Sequence, residues 1–196
     1  MFGRKIALMA GVAFAIAPVA SASIMELQLS THSSDETSAS LLMATFEFSV
    51  VGSTLTLTVT NDTVAPNAYD INQVYFNGPD GVGLTPDPLP TDWSFDDTGT
   101  MVNGFGDFDF ALKEADPMPD NKILPGGSLS FSFTLSAPAD VKDFTSSTST
   151  NGYLIAGKFV RGPGDDSAFG ATIPTPGVLA LMGVAGMLVA RPRRRR

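Results

Sequence analysis

Residues 53–60 read STLTLTVT and residues 128–136 read SLSFSFTLS. In the first, Leu55, Leu57 and Val59 alternate with Thr54, Thr56, Thr58 and Thr60. In the second, Leu129, Phe131, Phe133 and Leu135 alternate with serine and threonine. A period of two puts every apolar side chain on one face of an extended strand and every hydroxyl on the other. Both stretches therefore predict strands with one buried and one wet face, the pattern of antiparallel sheets. The alternation continues outward. Phe46, Phe48 and Val50 share a face within Ala44–Val51, and Phe108, Phe110 and Leu112 share one opposite Asp107 and Asp109. Further strands are expected at Ile24–Ser30, Ile71–Asn77, Tyr153–Arg161 and Ala168–Ile173, and no segment repeats with a helical period over 11 residues.

The connections carry turn chemistry. Val51-Gly52-Ser53 predicts a tight hairpin, and Leu124-Pro125-Gly126-Gly127 opens a strand. Gly78–Pro90 and Asp116–Asn121 are dense in breakers and are expected as loops, and Ser146–Thr150 as a solvated one. Residues 23–173 suffice for one core. The expected fold is all-β, a single antiparallel β-sandwich, immunoglobulin-like or jelly-roll in layout, with a signal peptide before it and a hydrophobic helix after it.

Charge is distributed unevenly. Between residues 23 and 173 there are 5 bases against 20 acids, a net of −15, whereas the whole chain carries −8. Nucleic acid is excluded as a partner of this region, because a polyanion needs a basic footprint. The absence of cysteine removes disulfides, thiolate zinc sites and cysteine nucleophiles.

Met1–Ala22 has the three parts of a secretory signal in order: Arg4 and Lys5, the apolar run Ile6–Ala17, and the small-residue site Ala20-Ser21-Ala22. Cleavage is expected before Ser23, by signal peptidase. At the other end, Pro174-Thr175-Pro176-Gly177 precedes the uncharged run Val178–Ala190 and then Arg191-Pro192-Arg193-Arg194-Arg195-Arg196. As a helix that run would reach about 20 Å, against a hydrocarbon core of ~30 Å. Its arginines should stay on the cytoplasmic side, leaving residues 23–173 outside.

Proline motif, short apolar helix and terminal arginine cluster, in that order over residues 174–196, resemble the PEP-CTERM sorting signal of exported bacterial proteins, in its Pro-Thr-Pro-Gly form. Thr175 stands where the commonest form has glutamate. The resemblance implies that Pro174, Thr175, Pro176 and Gly177 form the motif, with Arg193, Arg194, Arg195 and Arg196 as the basic end. It further implies recognition by an exosortase-type membrane protease and delivery to the cell surface or extracellular matrix. Without processing, the tail would leave a membrane-anchored ectodomain. The segments LTLTVTN (55–61), FGDFDFAL (105–112), LPGGSLSFSFTL (124–135) and YLIAGKFVRGPG (153–164) resemble, less specifically, the β-sandwich ectodomains that accompany this signal.

No catalytic centre is expected. His32 is the lone histidine, in a Ser/Thr-rich stretch, and no G-x-S-x-G occurs. One imidazole cannot make a zinc site. Calcium is the metal that the residues suit, with Asp96, Asp97, Asp107 and Asp109 as oxygen ligands and Asp92 nearby. On one strand, Asp107 and Asp109 would lie about 7 Å apart on one face. A carbohydrate module would need Trp93 exposed, with Tyr69, Tyr75 or Tyr153 beside it, to stack on sugar faces. A hydrolase would need two acids in a cleft. Asn61-Asp62-Thr63 matches a glycosylation acceptor. The expected role is structural or adhesive, in contact with the envelope or with extracellular polysaccharide. A calcium- or carbohydrate-binding module is the alternative.

Overall fold

The computed structural model describes residues 21–28, 31–32, 42–66, 68–115, 121–162 and 166–172. The segment expected to be a signal peptide, Ala20 included, lies outside these residues except for Ser21 and Ala22. So do residues 174–196, where the sorting signal is expected, and most of the expected loop Asp116–Asn121. In chain order the described strands are β1 (Ser21–Gln28), β2 (Thr31–His32), β3 (Met43–Val51), β4 (Thr54–Asn61), β5 (Asp70–Phe76), β6 (Leu84–Pro86), β7 (Trp93–Asp96) and β8 (Thr100–Val102). There follow β9 (Gly106–Phe108), β10 (Phe110–Glu114), β11 (Ser128–Leu135), β12 (Ile155–Gly162) and β13 (Asp166–Thr172), with one helical turn, α1 (Val141–Phe144), between β11 and β12.

The architecture is all-β. Every ladder among the described residues is antiparallel. One sheet has the order β1-β3-β4-β11-β6, another β2-β13-β12-β5-β10-β7, and β8-β9 is a separate hairpin. The alternation read in β4 and β11 sets the inward face. Leu55, Leu57, Val59, Phe131 and Phe133 are fully buried, and Phe46 and Phe48 of β3 join them. Their partners come from the six-stranded sheet. Phe48 and Phe76 have ring centroids 5.9 Å apart, Phe76 and Phe133 6.1 Å, and Trp93 and Phe131 5.0 Å. The two larger sheets thus share one apolar core. Each buried phenylalanine contributes about 2–3 kcal/mol of transfer free energy. β3 and β4 are joined at Gly52, whose φ of 63° is the left-handed conformation a tight hairpin needs.

The opposite face of the six-stranded sheet is covered as well. Tyr75, Ala111, Ala156 and Ala171 pack there against Val102, Phe105 and Phe108 of the β8–β9 hairpin. Tyr75 donates to Gln73 Oε1, and burial pushes its phenol up to about 12 from 10.0. A phenol held above its unfolded value contributes stability that is complete below pH 10 and lost as pH rises toward 12. Alkaline unfolding should therefore steepen between pH 10 and 12. Tyr75→Phe should flatten that limb by up to about 2 kcal/mol, read from urea unfolding at each pH. Parallel limbs in the two proteins would refute this.

Three expectations need correction. Gly78–Pro90 is not wholly a loop, since β6 forms within it. Leu84 is buried opposite Leu135, and Pro86, lacking an N–H, fits this edge position. The strand expected through Asp107–Leu112 is broken at Asp109, whose N–H donates to Asn77 Oδ1 at 3.1 Å instead of to a ladder. β9 and β10 accordingly belong to different sheets. Within Ser146–Thr150, Ser149 is buried, its hydroxyl donating to the Phe105 carbonyl at 2.7 Å. The one helical turn among the described residues, Val141–Phe144, is too short to carry a helical period; it forms because Asp140 and Asp143 cap each other's backbone N–H groups and Val141 and Phe144 are buried.

Candidate functional site

The aspartates expected to hold calcium are divided by the break at Asp109. Asp97 and Asp109 line a cleft of about 580 Å³ together with Asp80, Thr98, Phe110 and the glycine-rich turn Gly78–Gly83. One oxygen of Asp109 is already engaged, accepting from Gly78 N–H at 3.2 Å. Asp96 faces elsewhere. Its Oδ1 accepts from the Thr98 hydroxyl at 2.7 Å and from Thr98 N–H at 3.1 Å, and its Oδ2 meets Lys113 Nζ at 3.0 Å. These donors, the Thr98 hydroxyl foremost, hold the Asp96 carboxyl well below the usual carboxylate range. Asp107 sits on the hairpin, its N–H donating to Thr150 Oγ1 at 2.9 Å. Asp107 and Asp109 therefore do not form a pair on one face. Among the described residues no three of His, Cys, Asp or Glu gather as a metal-holding group.

The aromatic platform takes a different form from the one a sugar site requires. Trp93 is 6 % exposed, edge-on to Phe131, with Nε1–H donating to the Asn121 carbonyl at 2.9 Å. Tyr69 and Tyr75 are buried, and Tyr153 packs edge-on against Phe105 at 5.1 Å. Asn61 is 0 % exposed and holds together the β4 terminus, so the tripeptide Asn61-Asp62-Thr63 does not present an acceptor amide. Of the residues expected to flank a cleavage site, Ala22 and Ser23 fall in β1, opposite Ser49 and Phe48. His32 is opposite Gly170 in the short β2–β13 ladder.

A surface that the motif search did not single out lies on the outer face of the five-stranded sheet. Register places Thr45, Thr60 and Ser128 in one row across β3, β4 and β11. Glu47, Thr58 and Ser130 form the next row, followed by Ser49, Thr56 and Ser132. All are half-buried or exposed. Thr58 and Ser130 hydroxyls are 2.9 Å apart, and Thr60 and Ser128 2.7 Å. Rows of hydroxyls recur at roughly 5 Å across strands and roughly 7 Å along them. In a region carrying −15, these three rows hold one charge, Glu47. The signal was present in the threonine and serine positions of STLTLTVT and SLSFSFTLS. What was missing was the pairing that sets one strand beside the other.

Compared with family models, curated proteins and solved structures, the chain gives no match in any of the three.

Proposed function

We propose that the chain is an exported protein, sorted to the cell surface or extracellular matrix, whose two larger sheets form a non-catalytic β-sandwich with a structural or adhesive role. The observation that carries the adhesive part is the hydroxyl face of β3, β4 and β11. A nearly uncharged array of donors and acceptors suits a neutral polyhydroxyl partner such as extracellular polysaccharide, which binds through many individually weak hydrogen bonds. The sorting part rests on the basic–apolar–small order of Met1–Ala22 and the proline–apolar–arginine order of Pro174–Arg196. β1 would lose only Ser21 and Ala22 to cleavage before Ser23, keeping its register from Ser23 to Gln28.

The test is the intact mass and location of the protein in cells that export it. Sorting with processing predicts surface or matrix material lacking Met1–Ala22 and the segment after about Thr175. Membrane-bound protein that still carries Arg193–Arg196 would replace this reading with an anchored ectodomain. Cytoplasmic protein of full length would overturn it altogether.

A further inference from the structure

Asparagine precedes glycine three times, at Asn77-Gly78, Asn103-Gly104 and Asn151-Gly152. In such a pair only Cβ, Cα and the carbonyl carbon separate the asparagine Cγ from the next backbone nitrogen, so a bond between the two closes a five-membered ring. Their reach is set by covalent connectivity and needs no tertiary contact. Glycine, having no Cβ, leaves that nitrogen open to approach and its peptide free to turn. The fold decides which of the three nitrogens is free and which of the three carboxamides can swing toward it.

At Asn77 both groups are engaged. The residue is buried, its Oδ1 accepts from Asp109 N–H at 3.1 Å, and its Nδ2 donates to the Tyr153 carbonyl at 3.4 Å. Gly78 N–H donates to Asp109 Oδ2 at 3.2 Å. Asn151 is exposed, but its Nδ2 donates to the Gly104 carbonyl at 3.4 Å, and Gly152 N–H donates to the Ser149 carbonyl at 2.8 Å. Asn103 differs on each count. With Gly104 it stands at the exposed tip of the β8–β9 hairpin, where a single turn bond, Phe105 N–H to the Val102 carbonyl at 2.9 Å, closes the chain. Among the described residues neither the Asn103 carboxamide nor Gly104 N–H has a hydrogen-bond partner. The space is open as well, since a Cβ built on Gly104 would meet nothing within 4 Å.

We infer that Asn103 is a site of spontaneous deamidation, converting to aspartate and isoaspartate at this hairpin tip while the fold holds Asn77 and Asn151 back. Hydroxide from solvent takes the proton of Gly104 N–H, and the nitrogen so activated adds to Cγ of Asn103. The tetrahedral intermediate collapses as the Cγ–Nδ2 bond breaks. Nδ2 takes a proton from water, which restores the hydroxide, and leaves as ammonia. A succinimide remains, and a second water opens it. Attack at Cγ breaks the Cγ–N bond and gives aspartate, whereas attack at the main-chain carbonyl carbon breaks its C–N bond and gives isoaspartate. The sum is one water consumed and one ammonia released, with no oxidant, metal or enzyme. Either product adds a negative charge to a region that already carries −15. Isoaspartate also routes the main chain through its β-carbon, lengthening the turn between the paired Val102 and Gly106. The hairpin covering Tyr75 and Ala111 should therefore loosen as the protein ages, wherever the protein resides.

Peptide mapping of the folded full-length chain, aged in mildly alkaline buffer over several weeks, tests this directly. The chymotryptic peptide carrying Asn103 should gain about 1 Da and split into two species of equal mass, one with aspartate and one with isoaspartate. Ammonia should appear in equal amount. In the folded chain Asn103 should convert at least about tenfold faster than Asn77 and Asn151, which must first open their own hydrogen bonds. In urea, where no fold protects them, the three should convert at comparable rates. Asn103→Gln should remove the fast conversion, because the longer side chain would have to close a six-membered ring, which forms far more slowly. Conversion led by Asn77 or Asn151 in the folded chain, or equal at all three sites, overturns the proposal. So does an Asn103 that stays intact in the folded chain, whatever it does in urea.

Discussion

Asn61→Ala is expected to lower the unfolding free energy by about 3–5 kcal/mol, among the largest losses any single replacement should cause here. One side chain makes every bond its amide allows. Nδ2 donates to the carbonyls of Tyr69 and Ile123, both at 2.7 Å, while Oδ1 accepts from Thr63 N–H at 3.1 Å and from the Thr63 hydroxyl at 2.7 Å. Thr63 Oγ1 in turn accepts from Tyr69 N–H at 3.2 Å. The main chain at Asn61 adds bonds to Gly126 and Gly127 before β11. Alanine would take one bond from each of the two carbonyls, which keep the Thr63 hydroxyl and Ile71 N–H, and would leave Thr63 N–H unmatched where water does not reach; each lost bond costs about 1 kcal/mol and the unmatched N–H about 1–3 kcal/mol. Asn61→Asp separates shape from chemistry. It keeps the outline but sets a carboxylate against two carbonyl oxygens, so it should be at least as damaging at neutral pH and should recover as acid protonates it. Urea unfolding of the three proteins decides the matter. A loss under about 1 kcal/mol for alanine would show that the hub is dispensable.

Gly162→Ala should be nearly as costly, about 3 kcal/mol or more, for a steric reason. A methyl group at Gly162 would stand 2.0 Å from Cε1 and 2.3 Å from Cζ of Tyr69. The ring cannot swing away into solvent, because Tyr69 is only 2 % exposed and packs in the main core. The backbone is equally constrained there. Gly162 closes the bulge in the β12–β13 ladder, and Arg161 before it holds a φ of 58°. Combining Gly162→Ala with Tyr69→Ala distinguishes this clash from a general weakening of β12. If the clash is the cause, the alanine at 162 should cost far less once the ring is gone. Additive losses in the double variant would place the cause elsewhere.

Both predictions concern residues whose importance the linear chain conceals. Asn61 and Thr63 read as a glycosylation tripeptide because the pattern needs three adjacent residues, whereas the actual partners are 8 and 62 positions away. Trp93 could stand in a sugar platform or in the core, and the segment 91–98 lacks the periodicity to decide. Pairing of β7 with β10 turns the ring inward. Glu114 is the instructive case. Phe110, Leu112 and Glu114 are spaced by two, so an acid at an inward position was visible, but its meaning depends on its ion pair with Lys122 at 3.3 Å. Lys122 is held there by the bridge between its neighbour Ile123 and Ile71 of β5.

What composition and periodicity carried alone was the all-β antiparallel character and the inward faces of β3, β4 and β11, because a strand's alternation is local and each side chain's face follows from its neighbours. The acidity of residues 23–173 was equally local, being a count. The division of Asp107 from Asp109, the hydroxyl rows, the Asn61 hub and the ion pair of Glu114 with Lys122 were decided by tertiary structure. Each depends on which strands lie side by side and in what register, and that is set by burial of the shared core across separations of tens of residues, which no short window of sequence contains.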